Sequence, residues 1–107
     1  MISTHILDTS KGSPAEAVVV RLQRREGESW KEISKGSTNS DGRFVFESDK
    51  IAGVYQIIFE IEDYFKKQSK ECFFMNTPVV FKISDTQRKY HVPLLLNPYG
   101  YSTYRGS

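Results

Sequence analysis

The chain has 107 residues, with 15 Lys and Arg against 13 Asp and Glu and a net charge of +2. That length suits one domain, residues 1–107, and the charge balance argues against a nucleic-acid binder. Its 7 Phe, 6 Tyr and 1 Trp exclude a disordered chain, and a single cysteine, Cys72, excludes an intrachain disulfide.

Met1 to His5 carries no basic region and no long apolar run, so no secretory signal is read and a cytoplasmic protein is expected. No apolar stretch approaches the roughly 20 residues that span a membrane. The first strand begins here, with Ile2 and Ile6 on the core face and His5 on the other. Gly12-Ser13-Pro14 breaks the chain. Val18, Val20 and Leu22 form the apolar face of a second strand, and Trp30 to Ile33 reads as a short third. Thr38-Asn39-Ser40-Asp41-Gly42 is a polar turn. The fourth strand follows, with Phe44 and Phe46 inward and Arg43 outward. In the fifth, Tyr55, Ile57, Phe59 and Ile61 alternate with Gln56, Ile58, Glu60 and Glu62.

Asp63 to Lys70 lacks alternation and holds good helix formers, which predicts a short surface helix. Val79, Phe81 and Ile83 mark the sixth strand. Tyr90 to Leu96 is the seventh, with Val92, Leu94 and Leu96 inward and His91 outward. Tyr99 to Arg105 is the last. Eight short strands separated by turns predict an all-β, two-sheet β-sandwich with one short helix.

Both histidines and Arg43 therefore lie on outer sheet faces. Neutral imidazole accepts a proton near pH 7, and a guanidinium holds charge developing on oxygen. The set suits attack of water on a carbonyl, although strand phase alone does not bring the three together. A zinc site is disfavoured because no His, Cys or carboxylate cluster has ligand spacing. Cys72 reads as a structural thiol, and the scattered glycines make no phosphate loop. Arg24-Arg25 and Lys66-Lys67 read as solvated charges, and Thr9-Ser10-Lys11 as a turn.

Three blocks carry a resemblance. They are Ser3-Thr4-His5-Ile6-Leu7-Asp8 with Gly12-Ser13-Pro14-Ala15, then Thr38-Asn39-Ser40-Asp41-Gly42-Arg43, then the run from Tyr90-His91-Val92-Pro93 to Tyr104-Arg105-Gly106-Ser107. Together they resemble the transthyretin-related family from end to end. The Tyr-Arg-Gly-Ser ending resembles its 5-hydroxyisourate hydrolase branch. The resemblance implies a transthyretin-like sandwich and a homotetramer, a dimer of dimers with sites in a central channel. It implies hydrolysis of 5-hydroxyisourate to 2-oxo-4-hydroxy-4-carboxy-5-ureidoimidazoline, with His5, Arg43 and His91 catalytic. Tyr104, Arg105 and Ser107, the last through its free carboxylate, would shape the substrate pocket. No metal, organic cofactor, nucleic acid or membrane partner is implied. A non-catalytic carrier of the transthyretin type is the alternative, and a bare protein-interaction sandwich a further one. One segment departs from the family pattern: Met75-Asn76 stands where Phe-Phe-Pro would place its proline.

Overall fold

The computed structural model describes residues 1–49 and 51–107. In chain order it forms β1 (Ile2–Asp8), β2 (Ser13–Pro14), β3 (Val19–Glu26), β4 (Ser29–Ser37) and β5 (Arg43–Phe46). Then come β6 (Gly53–Glu60), α1 (Ile61–Lys66), β7 (Thr77–Ile83), β8 (Tyr90–Asn97) and β9 (Gly100–Thr103). One sheet runs β2-β1-β8-β9, with β5 also on β1; the other runs β4-β3-β6-β7. β1 and β8 are parallel neighbours, paired from Ile2 with Tyr90 to Asp8 with Leu96. This pairing joins the first strand to residues near the end of the chain and sets up the site.

The core follows the period of two. Ile2, Thr4 and Ile6 of β1 face Val20 and Leu22 of β3, Tyr55, Ile57 and Phe59 of β6, and Val92, Leu94 and Leu96 of β8. Each large apolar side chain buried this way contributes about 1.5–3 kcal/mol of transfer free energy. Buried hydroxyls among them have partners, as burial requires. Thr4 Oγ1 donates to the Val92 carbonyl at 2.6 Å, and Thr38 Oγ1 donates to the Ala15 carbonyl at 2.7 Å.

Helix α1 turns Ile61, Tyr64 and Phe65 to the core at helical spacing. Tyr64 donates its hydroxyl to the fully buried Asp8 carboxylate at 2.7 Å, tying the helix to the first sheet. Burial alone would raise the Asp8 carboxyl. Hydrogen bonds from Ser10, Tyr64 and the Ser10 and Lys11 backbone outweigh it and hold the group below its ordinary value. Burial and the bond to Asp8 push the Tyr64 phenol up to about 12.

The sandwich and its inward faces are as the pattern predicts, with five local differences. Ser13–Pro14 is not only a break but a two-residue ninth strand, paired with Leu7 and Asp8. The third predicted strand is longer, Ser29–Ser37; it lies at a sheet edge, where one partner suffices and polar residues replace apolar alternation. The helix starts at Ile61 and ends at Lys66, so Ile61 serves the helix rather than the strand. The last strand stops at Thr103. Arg24, read as solvated, packs its guanidinium 6.0 Å from the Tyr55 ring centre and pairs with Glu26 at 3.0 Å.

The segment that departs from the family pattern has its own structural logic. Asn76 Oδ1 accepts from the Glu62 backbone N–H at 3.1 Å, and the Asn76 N–H donates to Glu62 Oε2 at 2.9 Å. A side chain from outside the helix thus satisfies an orphan donor of its first turn. Asn76→Ala should cost about 1 kcal/mol of stability, as loss of a cap does. A thermal melt checks this, and an unchanged Tm would contradict it.

Candidate active site

The outer face of the five-stranded sheet carries the chemistry. β5, β1 and β8 lie side by side at about 4.8 Å spacing, so residues across all three fall within about 10 Å. Arg43 is directly opposite His5 in the β1–β5 ladder. His91 is directly opposite Ser3, which shares the outward phase of His5, in the β1–β8 ladder. The three residues that strand phase could only orient are thus brought together by topology.

Local chemistry fixes Arg43. Asn39 Oδ1 accepts from the N–H groups of Asp41 at 2.9 Å and Arg43 at 3.0 Å. The Asn39 N–H donates to the Arg43 carbonyl at 3.0 Å, closing the turn on itself. Gly42 has φ +73, which favours glycine, and a Cβ there would strike the Ile6 carbonyl oxygen. The turn therefore presses against β1 beside His5, with the Ile6 N–H donating to the Gly42 carbonyl at 2.8 Å. Arg43 is exposed, and among the described residues its guanidinium has no carboxylate within salt-bridge distance.

His91 is half-buried, with Nδ1 2.9 Å from Ser3 Oγ. Burial lowers its pKa below the ordinary 6.5; nearby His5 and Arg43 lower it further, while a hydrogen bond to the Ser3 backbone works the other way. The neutral ring is thus favoured at physiological pH. A base must be neutral to act, and it is lost as pH falls through its own pKa. The acidic limb of a kcat/KM profile should therefore lie below pH 6.5, the ordinary imidazole value. A limb above pH 6.5 would contradict His91 as the titrating group.

A cavity of about 310 Å³ opens on this face, lined by Ser3, Arg43, Lys89, His91 and Ser107 among others. Ser107 thus joins the cluster. Tyr104 and Arg105 line a second cavity, of about 220 Å³, between the tail and β7, which shares His91 with the first. The Arg105 guanidinium sits 4.9 Å from the Tyr90 ring centre. Ser3 and Lys89 were missed from the sequence. The phase of Ser3 was readable, but its nearness to His91 depends on a parallel pairing that no local pattern announces.

The tail is shaped by one residue. Pro93 has no N–H for the ladder, and its carbonyl is taken by Thr103 Oγ1 at 2.7 Å. β9 therefore ends at Thr103, and Tyr104-Arg105 leave the sheet. The register then resumes at Gly106, whose N–H donates to the His91 carbonyl at 2.8 Å. Among the described residues, no three His, Cys, Asp or Glu groups come together to hold a metal ion. No helix there is long and apolar enough to cross a membrane.

Known proteins are similar to this chain in sequence and in fold. The model of the HIUase/Transthyretin family matches residues 2–106. The chain is 44% identical over 110 residues to a 5-hydroxyisourate hydrolase of Salmonella typhimurium, covering 100% of this chain and 81% of the relative. Its structure resembles that of Klebsiella pneumoniae 5-hydroxyisourate hydrolase, with a TM-score of 0.87 and 39% identity. That likeness covers 99% of this chain and 98% of the other. It also resembles sea bream transthyretin in complex with thyroxine, with a TM-score of 0.92, 29% identity and coverage of 98% and 93%. A match over nearly every residue leaves no stretch for a different fold: the chain belongs to the HIUase/transthyretin family.

Proposed function

We propose that this chain is an enzyme that hydrolyses 5-hydroxyisourate in urate breakdown. The observation that carries the reading is the cluster itself: two histidines and an Arg, unpaired among the described residues, side by side on an outer sheet face, in a chain 44% identical to a protein named for that reaction. Neutral His91 takes a proton from water, which adds to a ring carbonyl. Arg43 holds the oxyanion of the tetrahedral intermediate. The ring C–N bond then breaks, the freed nitrogen takes up a proton delivered through His5, and a carboxylate is left. Ser107 borders the pocket beside Arg43 and His91, while Tyr104 and Arg105 shape the neighbouring cavity. Carbon-13 NMR of labelled substrate tests this. One ring carbonyl should be replaced by a carboxylate within many turnovers per protein.

The same reading includes a homotetramer built from edge-paired dimers, with the sites in a channel between them. β7 and β9 end their sheets, and Phe73, Met75, Tyr99 and Tyr101 are exposed beside them. Phe74 meets Tyr101 edge to face at 5.3 Å and Phe73 at 5.1 Å, so these three rings form one exposed aromatic cluster. A carrier of the transthyretin type is favoured by the TM-score of 0.92 to the thyroxine complex. Charged and titratable groups where an apolar ligand would lie speak against it. A carrier would bind its ligand stoichiometrically and leave 5-hydroxyisourate to decay at its spontaneous rate.

A further inference from the structure

We propose that Ser3 and Gly106 clamp the His91 ring from its two sides, setting its orientation and tautomer, and so act as positioning residues; their catalytic consequence rests on the hydrolase reading above.

Two ring atoms, Nδ1 and Cδ2, flank Cγ of an imidazole, and both are held. Nδ1 is 2.9 Å from Ser3 Oγ. On the other side, a Cβ built on Gly106 would lie 2.5 Å from Cδ2 and 3.1 Å from Cγ, so the glycine backbone is packed against the ring. Gly106 is kept there by its N–H bond to the His91 carbonyl at 2.8 Å, the point where the tail rejoins the register beyond Pro93. A half-turn of the ring would put Cδ2 against Ser3 and forfeit the hydrogen bond. Only the far edge of the ring, with Nε2, is left for a ligand.

The hydrogen bond at one ring nitrogen decides which nitrogen carries the proton. A serine hydroxyl can donate or accept; in the clamp it accepts from Nδ1–H, so that Nε2 keeps its lone pair and is the basic atom offered to water. Neutral imidazole in water prefers the opposite tautomer, so the serine has a definite task. The glycine has another: any side chain at 106 must push the ring out of line with Ser3. The tail is thereby coupled to the base, although Tyr104 and Arg105 are out of the ladder.

Nitrogen-15 NMR of the substrate-free protein tests the clamp without needing turnover. His91 should be protonated at Nδ1 in the wild type and in Ser3→Thr, and revert to the Nε2–H form in Ser3→Ala. Gly106→Ala should give a second ring state. In turnover assays Ser3→Ala and Gly106→Ala should lose at least about tenfold in kcat, within the range a positioned general base supplies, with KM little changed, and Ser3→Thr should recover it. An Nε2–H ring in the wild type, or ring signals unchanged in Ser3→Ala, would overturn the clamp. If Gly106→Ala does not fold, the Ser3 pair still decides. If the wild type shows the Nδ1–H ring but no turnover, the hydrolase reading fails and the clamp stands.

Discussion

His91→Asn is expected to lower kcat on 5-hydroxyisourate by about 10²–10⁴-fold, the contribution of a positioned general base. Asparagine keeps a polar head that reaches toward Ser3 but cannot take a proton near neutral pH. The fold should survive, because Val92 and Leu94 on the opposite phase hold β8 in the core. The acidic limb of the pH profile should also vanish, since burial and the neighbouring His5 and Arg43 set it through His91. Steady-state kinetics across pH, with a melt as control, checks both parts. Near-normal turnover from a folded variant would remove His91 from the mechanism.

Arg43→Ala should cost about 10²–10³-fold in kcat, the loss seen when an oxyanion donor is removed. Its guanidinium faces outward and is unpaired among the described residues, so its removal leaves no buried partner stranded. Stability should change by less than about 0.5 kcal/mol, as for other surface substitutions. Arg43→Lys should recover only part of the loss, because an ammonium lacks the planar fork that meets a polarised carbonyl bidentately. Kinetics of the two variants side by side checks the assignment. Full activity in Arg43→Ala would leave the oxyanion without its donor and break the mechanism.

Much of the fold was legible because the core obeys a simple period. Tyr55, Ile57 and Phe59 recur at every second position, and all three are fully buried. β4 was only partly legible, since an edge strand needs no apolar face, and Lys31, Glu32 and Lys35 mask it. The outward phase of His5, Arg43 and His91 could be read strand by strand. Their meeting could not, because parallel pairing of β1 with β8 is a long-range fact carried by the whole sandwich. The break in the tail was readable in principle from Pro93, which cannot donate to a ladder. The resumption at Gly106 was not, since it depends on where the imidazole lies. Asn76 looked like a departure from pattern because its partner, Glu62, is on another element.

The most direct test follows the absorbance of 5-hydroxyisourate made in the cuvette by uricase, with and without a substoichiometric amount of this protein. Decay accelerated in proportion to protein, over many turnovers, and returned close to the spontaneous rate by Arg43→Ala and His91→Asn is the expected result. Decay at the spontaneous rate with folded wild-type protein would contradict the central claim, and the carrier reading would take its place.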